Sequence, residues 1–228
     1  VRYGQLIEAG RALVRTQRPA AWPARIGLGL VAWPRLLAVI GAALRWYKRS
    51  GLQKLVRAGG VLRLLHLQHL ESLLPVLPAA LPREAFHPAQ GTQRGRVALF
   101  SGCVARVLDA ETLAAAVRLL TRLGFDVVIP EGQTCCGALH REAGQSAQAQ
   151  VLARQNRAAF RAAGVDTVIT VASGCGAVLA DSGKPDDTGT EHRIRALDIH
   201  QFLADVALPE SLTLAALPST IAVQDPCS

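Results

Sequence analysis

The chain has 228 residues, half of them hydrophobic, and a formal net charge of +8. This length and this apolar share exclude a globally disordered chain, and they allow one large domain or one domain with a helical extension. Charge is spread unevenly, since residues 1–96 carry 15 Lys and Arg against 3 Asp and Glu, whereas residues 97–228 carry 10 against 14. Two regions of different chemistry are therefore expected.

The basic N-terminal region has the pattern of a helical segment. Helices are predicted over residues 3–17, about 35–48 and 52–74, with the pair Gly59–Gly60 interrupting the last of them. The arginines are dispersed among apolar residues, and no aromatic stacking pattern or nucleic-acid motif accompanies them, so no nucleic-acid partner is expected. They are either the charged faces of ordinary helices or a docking surface for a partner protein or anionic lipid.

The most apolar stretch, residues 26–46, is broken by Pro34 and Arg35. Each uninterrupted run is about nine residues long, whereas a helix that spans a bilayer needs about 20. The first residues lack the pattern of a secretory signal peptide. Five cysteines, two of them adjacent, do not resemble a secreted disulfide scaffold. We therefore expect a cytoplasmic protein, with a peripheral contact at the inner face of the membrane left open.

The second half of the chain has the pattern of an α/β domain. Residues 77–95 are rich in Pro, Gly and polar residues, which predicts a linker. Beyond it, strands are predicted at 97–100, 125–130, 167–171 and 220–223, and helices over about 113–123, 140–163 and 199–203. Fully apolar strands that alternate with helices indicate a parallel sheet with helices on both faces.

Every cysteine follows one of these predicted strands. In chain order, the four strands are followed by Cys103, by Cys135 and Cys136, by Cys175, and by Cys227. The carboxyl ends of parallel strands meet at one edge of a sheet, where ligand sites form, so four of the thiols are expected to converge on one crevice. The flanking S-G-C, C-C-G and S-G-C-G sequences are small, which allows backbone N–H groups to approach a negatively charged thiolate centre.

The adjacent pair Cys135 and Cys136 indicates ligation or redox chemistry. A disulfide across one peptide bond is strained, so the two are not expected to form an ordinary structural bridge. Structural zinc sites usually come from C-x-x-C knuckles or from Cys/His pairs on short turns, whereas these cysteines are spread over several strand ends. An iron–sulfur cluster fits a dispersed all-thiolate set better. His140, soon after Cys136, is either a further ligand or simply part of the next helix.

Longer motifs around these cysteines resemble a known family. F-S-G-C-V, Q-T-C-C-G-A-L and V-I-T-V-A-S-G-C-G-A resemble the cysteine-rich CCG domain of heterodisulfide-reductase-type proteins. Together with A-L-D-I-H-Q-F-L and the opening V-R-Y-G-Q-L-I-E-A-G-R, they are most similar to the iron–sulfur subunits of glycolate oxidases (glycolate dehydrogenases). The resemblance is weakest over residues 20–90.

That family implies a longer protein, with a ferredoxin-type domain followed by two CCG repeats. This sequence has no C-x-x-C-x-x-C run, and we interpret it as a fragment. The implied division is a basic helical segment, the linker, a first CCG domain and the start of a truncated second repeat, over residues 1–76, 77–95, 96–218 and 219–228. V-A-L-F-S-G-C and I-A-V-Q-D-P-C share the order strand, small turn, cysteine, which supports the repeat.

The resemblance also implies the ligands. Four cysteines would hold a cluster of the [4Fe–4S] type, with zinc as the alternative, and Cys227 would serve the second repeat. These four are Cys103, Cys135, Cys136 and Cys175. The family pattern ends in C-x-x-C, whereas here Ala172 stands where the first cysteine of that pair would be. Four sulfurs therefore remain, which is enough for a cubane cluster.

The implied function is electron transfer within an oxidoreductase complex. Electrons would pass from a flavin-containing subunit, on which glycolate is oxidised to glyoxylate, toward a quinone-type acceptor. The chain alone is not expected to be catalytic, since it shows no Gly-rich dinucleotide fingerprint. Two alternatives remain: a thiol/disulfide site like that of heterodisulfide reductase, and a zinc-stabilised scaffold. Subunits for lactate or glycerol 3-phosphate share the domain, so the substrate also stays open.

Overall fold

The structure is a computed structural model. It describes residues 3–18, 21–64, 66–74, 76–79, 84–182, 194–208, 218–220 and 222. The predicted strand over 220–223 depends on Ile221 and Val223, which lie outside the described residues, as does Cys227. The strand, Cys227 and the second repeat therefore stay predictions.

The N-terminal part is helical, as predicted. Its helices are α1 (Tyr3–Gln17), α2 (Trp22–Ala32), α3 (Pro34–Arg49), α4 (Leu52–Ala58), α5 (Val61–Leu64) and α6 (Gln68–Ser72). The helix predicted over 52–74 is divided into α4, α5 and α6, and the first break falls at the predicted glycine pair, where Gly60 has a φ of 70°. Helix α2 was not predicted. Its Pro23 lies in the first turn, where the missing N–H of a proline is tolerated.

The rest of the described chain is an α/β unit, which confirms the predicted fold class. Its elements are β1 (Phe86–His87), β2 (Gly95–Leu99), α7 (Ala105–Leu108), α8 (Ala110–Arg122), β3 (Phe125–Val128), α9 (Ala138–Glu142), α10 (Ser146–Ala162), β4 (Thr167–Thr170), α11 (Ser173–Ser182), β5 (Arg195–Asp198) and α12 (Ile199–Asp205). Strand β1 lies within the predicted linker, and neither α11 nor β5 was predicted.

The five strands form one sheet in the order β1-β3-β2-β4-β5. Strands β2, β3, β4 and β5 are parallel, with Val97 opposite Val127 and Ala98 opposite Val168, and β1 pairs antiparallel with β3 at one edge. The chain leaves β2 for β3 on one side and later enters β4 on the other. The topological switch point, where open α/β sheets form ligand sites, therefore lies between β2 and β4.

Successive residues of each strand point to opposite faces, so the core has two layers. Val97 and Leu99 pack with α8 and α12 in one layer, whose other members include Leu113, Leu120 and Phe202. Ala98 and Phe100 pack in the second layer with Leu152, Phe160 and Leu179 of α10 and α11. This second layer also contains Cys103, Cys135 and Cys136. The cysteines therefore belong to the packed interior of the α/β unit.

The prediction of a single helix over 140–163 is wrong, because a turn separates α9 from α10. Gly144, at the break, has a φ of 69°, which favours glycine. A Cβ added there would lie 2.7 Å from the carbonyl oxygen of Arg11. The break therefore allows α1 to approach the α/β unit closely.

Within the described ranges, no single helix is both long and apolar enough to cross a membrane. Helices α2 and α3 reach the required length and composition only when taken together, and they are bent by 101° relative to each other.

Candidate cysteine-cluster site

The structure brings four of the predicted site residues together. Cys103, Cys135, Cys136 and Cys175 are free thiols at the carboxyl end of the parallel strands, beside the switch point. The Sγ atoms of Cys136 and Cys175 are 3.2 Å apart. Cys135 interacts with both Cys103 and Cys136, and these interactions shift the pKa values of all three thiols. The four sulfurs therefore form a contiguous series, with the adjacent pair in the middle.

Cys103 lies in the turn between β2 and α7. Gly102, with a φ of 64°, reverses the chain just before it. The backbone N–H of Val104 contributes to lowering the pKa of the Cys103 thiol. The residue is buried, with 7% of its surface exposed. The turn thus places backbone N–H groups near a buried sulfur, as the S-G-C motif predicts.

The adjacent pair lies in the loop between β3 and α9. The N–H of Gly137 donates to the Cys135 Sγ over 3.4 Å, and the N–H of Ala138 donates to the Cys136 Sγ over 3.5 Å. Gly137 has a φ of 93°, and a Cβ on it would lie 3.2 Å from backbone and side-chain atoms of Ala149. The glycine of C-C-G therefore allows both the left-handed turn and the close packing of α10 against the loop.

Cys175 lies in the first turn of α11 and is the most accessible of the four. Cys103, Cys135 and Cys136 are buried, whereas Cys175 is half-buried and its neighbours Ser173 and Gly174 are exposed. Gly176 packs against Thr170, since a Cβ there would lie 2.8 Å from the Thr170 Oγ1. The series of sulfurs thus runs from the buried turn after β2 to the surface at the start of α11.

Contacts between the thiols determine which of them ionises first. Hydrogen bonds from Cys135 and Cys175, together with the N–H of Ala138, lower the pKa of Cys136 to about 3. A hydrogen bond from Cys135 likewise lowers the pKa of Cys103. The donors Cys135 and Cys175 have raised pKa values, because they would lose those hydrogen bonds on ionising and are partly desolvated. The site thus favours negative charge at two of its sulfurs.

Two buried amides hold the loops that carry these cysteines, and the sequence did not single them out. Gln133 accepts a hydrogen bond of 3.0 Å from the N–H of Ser101 and donates one of 3.2 Å to the carbonyl oxygen of Leu99. It therefore connects the turn of Cys103 to the loop of Cys135. Asn156, on α10, makes two hydrogen bonds to the backbone of that same loop.

His140, in α9, is buried beside the site. Its side chain is 2% exposed, and its Nδ1 has no hydrogen-bond partner among the described residues. Burial lowers the pKa of its imidazole, although the nearby Cys136 acts in the opposite direction. Of the two roles that the sequence left open, the structure places His140 within the helix that follows the C-C-G motif, and a ligand role stays untested.

The donor set fits an iron–sulfur group better than a single metal ion. Four thiols surrounded by backbone N–H groups are typical of iron–sulfur sites, in which cysteine thiolates hold the irons and hydrogen bonds to sulfur tune the potential. Zinc needs its ligands around one point. In the part of the chain that the structure describes, no group of three or more His, Cys, Asp or Glu side chains is arranged to hold one metal ion.

Comparison with protein families gives the class of this site. Residues 97–180 match the model of the cysteine-rich domain named CCG, so this part of the chain is a CCG domain. Residues 22–74 match the model of the linker region of the glycolate oxidase iron–sulfur subunit. The resemblance that the sequence indicated is thereby confirmed, including the helical region in which it was weakest. No solved structure matches the chain significantly.

Curated relatives agree with this classification. The chain is 35% identical over its whole length to a probable glycolate oxidase iron–sulfur subunit of Bacillus subtilis, covering 55% of that protein. Over 90% of its length it is 28% identical to the glycolate oxidase iron–sulfur subunit of Escherichia coli, covering 48% of it. Lactate utilization protein A of Geobacillus kaustophilus is 34% identical over 51% of each chain. The chain thus spans about half the length of these relatives.

Proposed function

We propose that the chain is part of the iron–sulfur electron-transfer subunit of a 2-hydroxy-acid dehydrogenase complex of the glycolate type. The observation that carries this proposal is the contiguous series of four free thiols at the switch point of a CCG domain. In this proposal Cys103, Cys135, Cys136 and Cys175 hold a [4Fe–4S] cluster, which accepts and passes on one electron at a time. The relatives' names as glycolate oxidase subunits support the substrate class.

A thiol/disulfide catalytic site is the second candidate, because the sulfurs of Cys136 and Cys175 lie only 3.2 Å apart. Burial of Cys135 and Cys136 argues against a site in which this pair attacks the substrate. Cys135 and Cys136 are 1% and 3% exposed, whereas a disulfide substrate must reach the attacking sulfur directly. An electron can leave a buried centre without such contact, so burial is compatible with electron transfer.

In this proposal a flavin-containing subunit oxidises the hydroxy acid and docks where Cys175 approaches the surface. Ser173 and Gly174 are exposed beside Cys175, so this edge offers a short path from the surface to the sulfurs. Small side chains there allow a partner to pack closely. Electrons would continue to a quinone-type acceptor through the remainder of the subunit.

We propose a cytoplasmic location with a peripheral contact at the inner face of the membrane, made by α2 and α3. Trp22, Trp33 and Trp46 are 74%, 68% and 65% exposed, and Lys48 and Arg49 lie in the last turn of α3. Exposed tryptophans beside basic residues are typical of helices that lie in the interface of anionic membranes. Sedimentation with phosphatidylglycerol vesicles but not with phosphatidylcholine vesicles is expected. Equal sedimentation with both, or with neither, would contradict this contact.

The metal content of the full-length protein tests the proposed function. Iron, acid-labile sulfide and zinc are measured anaerobically in the wild type and in Cys136→Ala, with Thr121→Val, at a buried position of α8, as the control. Iron and sulfide are expected to fall by about one cluster in Cys136→Ala while the control retains that cluster. Unchanged iron in Cys136→Ala, or zinc in place of iron, would overturn the proposal.

A further inference from the structure

His140 combines deep burial with an unpaired nitrogen. Three side-chain polar atoms of the described residues are buried without a hydrogen-bond partner: Arg45 Nη1, Tyr47 Oη and His140 Nδ1. The first two lie in α3, whereas His140 lies in the helix that directly follows the C-C-G motif. An unpaired buried polar atom costs free energy, so in a native protein it is expected to have a reason, such as a bound water, an ion or a functional group beside it.

The fold holds His140 beside the cysteines. Gly137 is the N-cap residue of α9, and the N–H of Arg141 donates to the Gly137 carbonyl oxygen over 2.9 Å, which closes the first turn. His140 therefore lies in the first turn of α9, four residues after Cys136. Helix α9 also contacts α11, whose first turn carries Cys175. His140 is enclosed within this packing, since only 2% of the residue is exposed.

Two charged groups lie near the imidazole, and only one of them can accept a hydrogen bond from it. They are the Cys136 thiolate and the Arg15 guanidinium of α1. A guanidinium has only donors, and Arg15 already donates to the carbonyl oxygen of Ala143 over 3.0 Å. Of these two charged groups, only the sulfur can accept a hydrogen bond from an imidazole N–H.

We propose that the Nδ1–H of His140 donates a hydrogen bond to a sulfur of the iron–sulfur centre on its Cys136 side. This inference rests on the proposed function, since it requires the centre. His140 is then a positioning and tuning residue and not one of the four thiolate ligands. A donor aimed at the sulfurs stabilises negative charge, and the reduced centre is more negative than the oxidised one. His140 therefore raises the reduction potential of this centre.

The test compares His140→Leu with His140→Asn in the full-length holoprotein. Leu removes the donor at similar volume, whereas the side-chain amide of Asn can place an N–H close to the position of Nδ1. Thr121→Val is the matched control, since Thr121 is buried on α8 and its hydroxyl pairs within that helix. Iron and sulfide are quantified first, and the midpoint potential is then measured by a redox titration followed by electron paramagnetic resonance.

We expect the potential of this centre to fall in His140→Leu, to recover in His140→Asn and to stay unchanged in the control. An unchanged potential in His140→Leu at full cluster content would overturn the inference alone. A wild-type protein without a cluster at this site would overturn the proposed function and the inference with it. The metal content therefore distinguishes the two failures.

A second measurement needs no variant. Wild-type holoprotein with ¹⁵N-labelled histidine is reduced and studied by pulsed electron paramagnetic resonance. A weak ¹⁵N coupling together with an exchangeable proton is expected from a hydrogen bond to the centre. A strong coupling would show nitrogen bound to iron and would overturn the donor role, and the absence of any coupling would overturn the contact.

Discussion

Asn156 holds the carbonyl group of Cys135. Its Nδ2 donates a hydrogen bond of 2.9 Å to the Cys135 oxygen, while its Oδ1 accepts one of 2.8 Å from the N–H of Thr134. Asn156 is fully buried on α10. One side chain thus binds the backbone on both sides of the peptide bond that leads into the cysteine pair. The position of that pair therefore depends on a helix that contributes no thiol.

The substitution Asn156→Ala is expected to destabilise the protein and weaken the site. It leaves the N–H of Thr134 without its partner, at about 1–3 kcal/mol, and it leaves the Cys135 carbonyl oxygen with only the 3.3 Å hydrogen bond from the Thr134 hydroxyl. Urea unfolding should show the loss of stability, and iron content should fall because the loop is no longer fixed. Gln155→Ala, at an exposed position of the same helix, is the control. Equal stability and iron content in the two variants would contradict the assigned role.

Gln133 gives a prediction that depends on pH. In Gln133→Glu the buried carboxyl has a raised pKa, because burial disfavours its charged form. When protonated, it can donate to Leu99 and accept from Ser101 as the glutamine does. The loss of stability relative to the wild type is therefore expected to be small at acid pH and to grow as the pH rises. Gln133→Leu should be destabilised by about 1–3 kcal/mol without this dependence.

Thermal unfolding between pH 5 and pH 8 is the measurement for Gln133→Glu, with the exposed Glu131→Gln as the control. A difference from the wild type that is constant with pH would show that the carboxyl is not desolvated. The bridge between the two cysteine loops would then be weaker than the structure indicates.

Much of the α/β unit could be predicted from local patterns. Strands β2 and β4 contain short buried apolar runs, Val97 to Leu99 and Val168 to Ile169. Helix α8 shows Leu113, Val117 and Leu120 at helical spacing. The convergence of the four thiols followed from the order of strands and cysteines alone, because parallel strands share one carboxyl edge. Order along the chain was sufficient there, and no distances had to be known.

The residues that fix the position of the site could not be identified from the sequence. Asn156 lies in the run A-R-Q-N-R, where every polar residue is compatible with a solvent-exposed face. Only the packing of α10 on the loop of Cys135 shows which polar residue is buried. Strand β5 was missed because R-A-L-D is short and charged at both ends. Helix α11 was missed because its first turn contains two glycines.

Glu8 connects α1 to the α/β unit and gives a second prediction about pH. It accepts hydrogen bonds from Arg141 over 2.8 Å and from Ser146 over 3.0 Å. The hydrogen bond from Arg141 is the main reason that the pKa of Glu8 is lowered. A lowered pKa contributes stability above the ordinary range of a carboxyl group, and this contribution is lost as the pH falls through the folded-state value.

The wild type is therefore expected to be more stable than Glu8→Gln at neutral pH, and the two should converge in acid. Thermal unfolding at pH 7 and near pH 3 measures both differences. Glu111→Gln, at an exposed position of α8, is the control and should stay close to the wild type at neutral pH. A difference between wild type and Glu8→Gln that does not shrink in acid would show that the ion pair is not its origin.

A comparison of Gly137 with Gly164 separates the effect of a left-handed backbone from the effect of close packing. Gly137 and Gly164 have positive φ values of 93° and 64°, so alanine at either is expected to cost about 1–2 kcal/mol. A Cβ at Gly164 would meet no atom within 4 Å, whereas one at Gly137 would lie 3.2 Å from three atoms of Ala149. Gly137→Ala should therefore be the less stable variant in urea, and it alone should lose iron, because α10 and the cysteine pair must separate. Equal losses in both variants would mean that backbone conformation is the only requirement at the glycine of C-C-G.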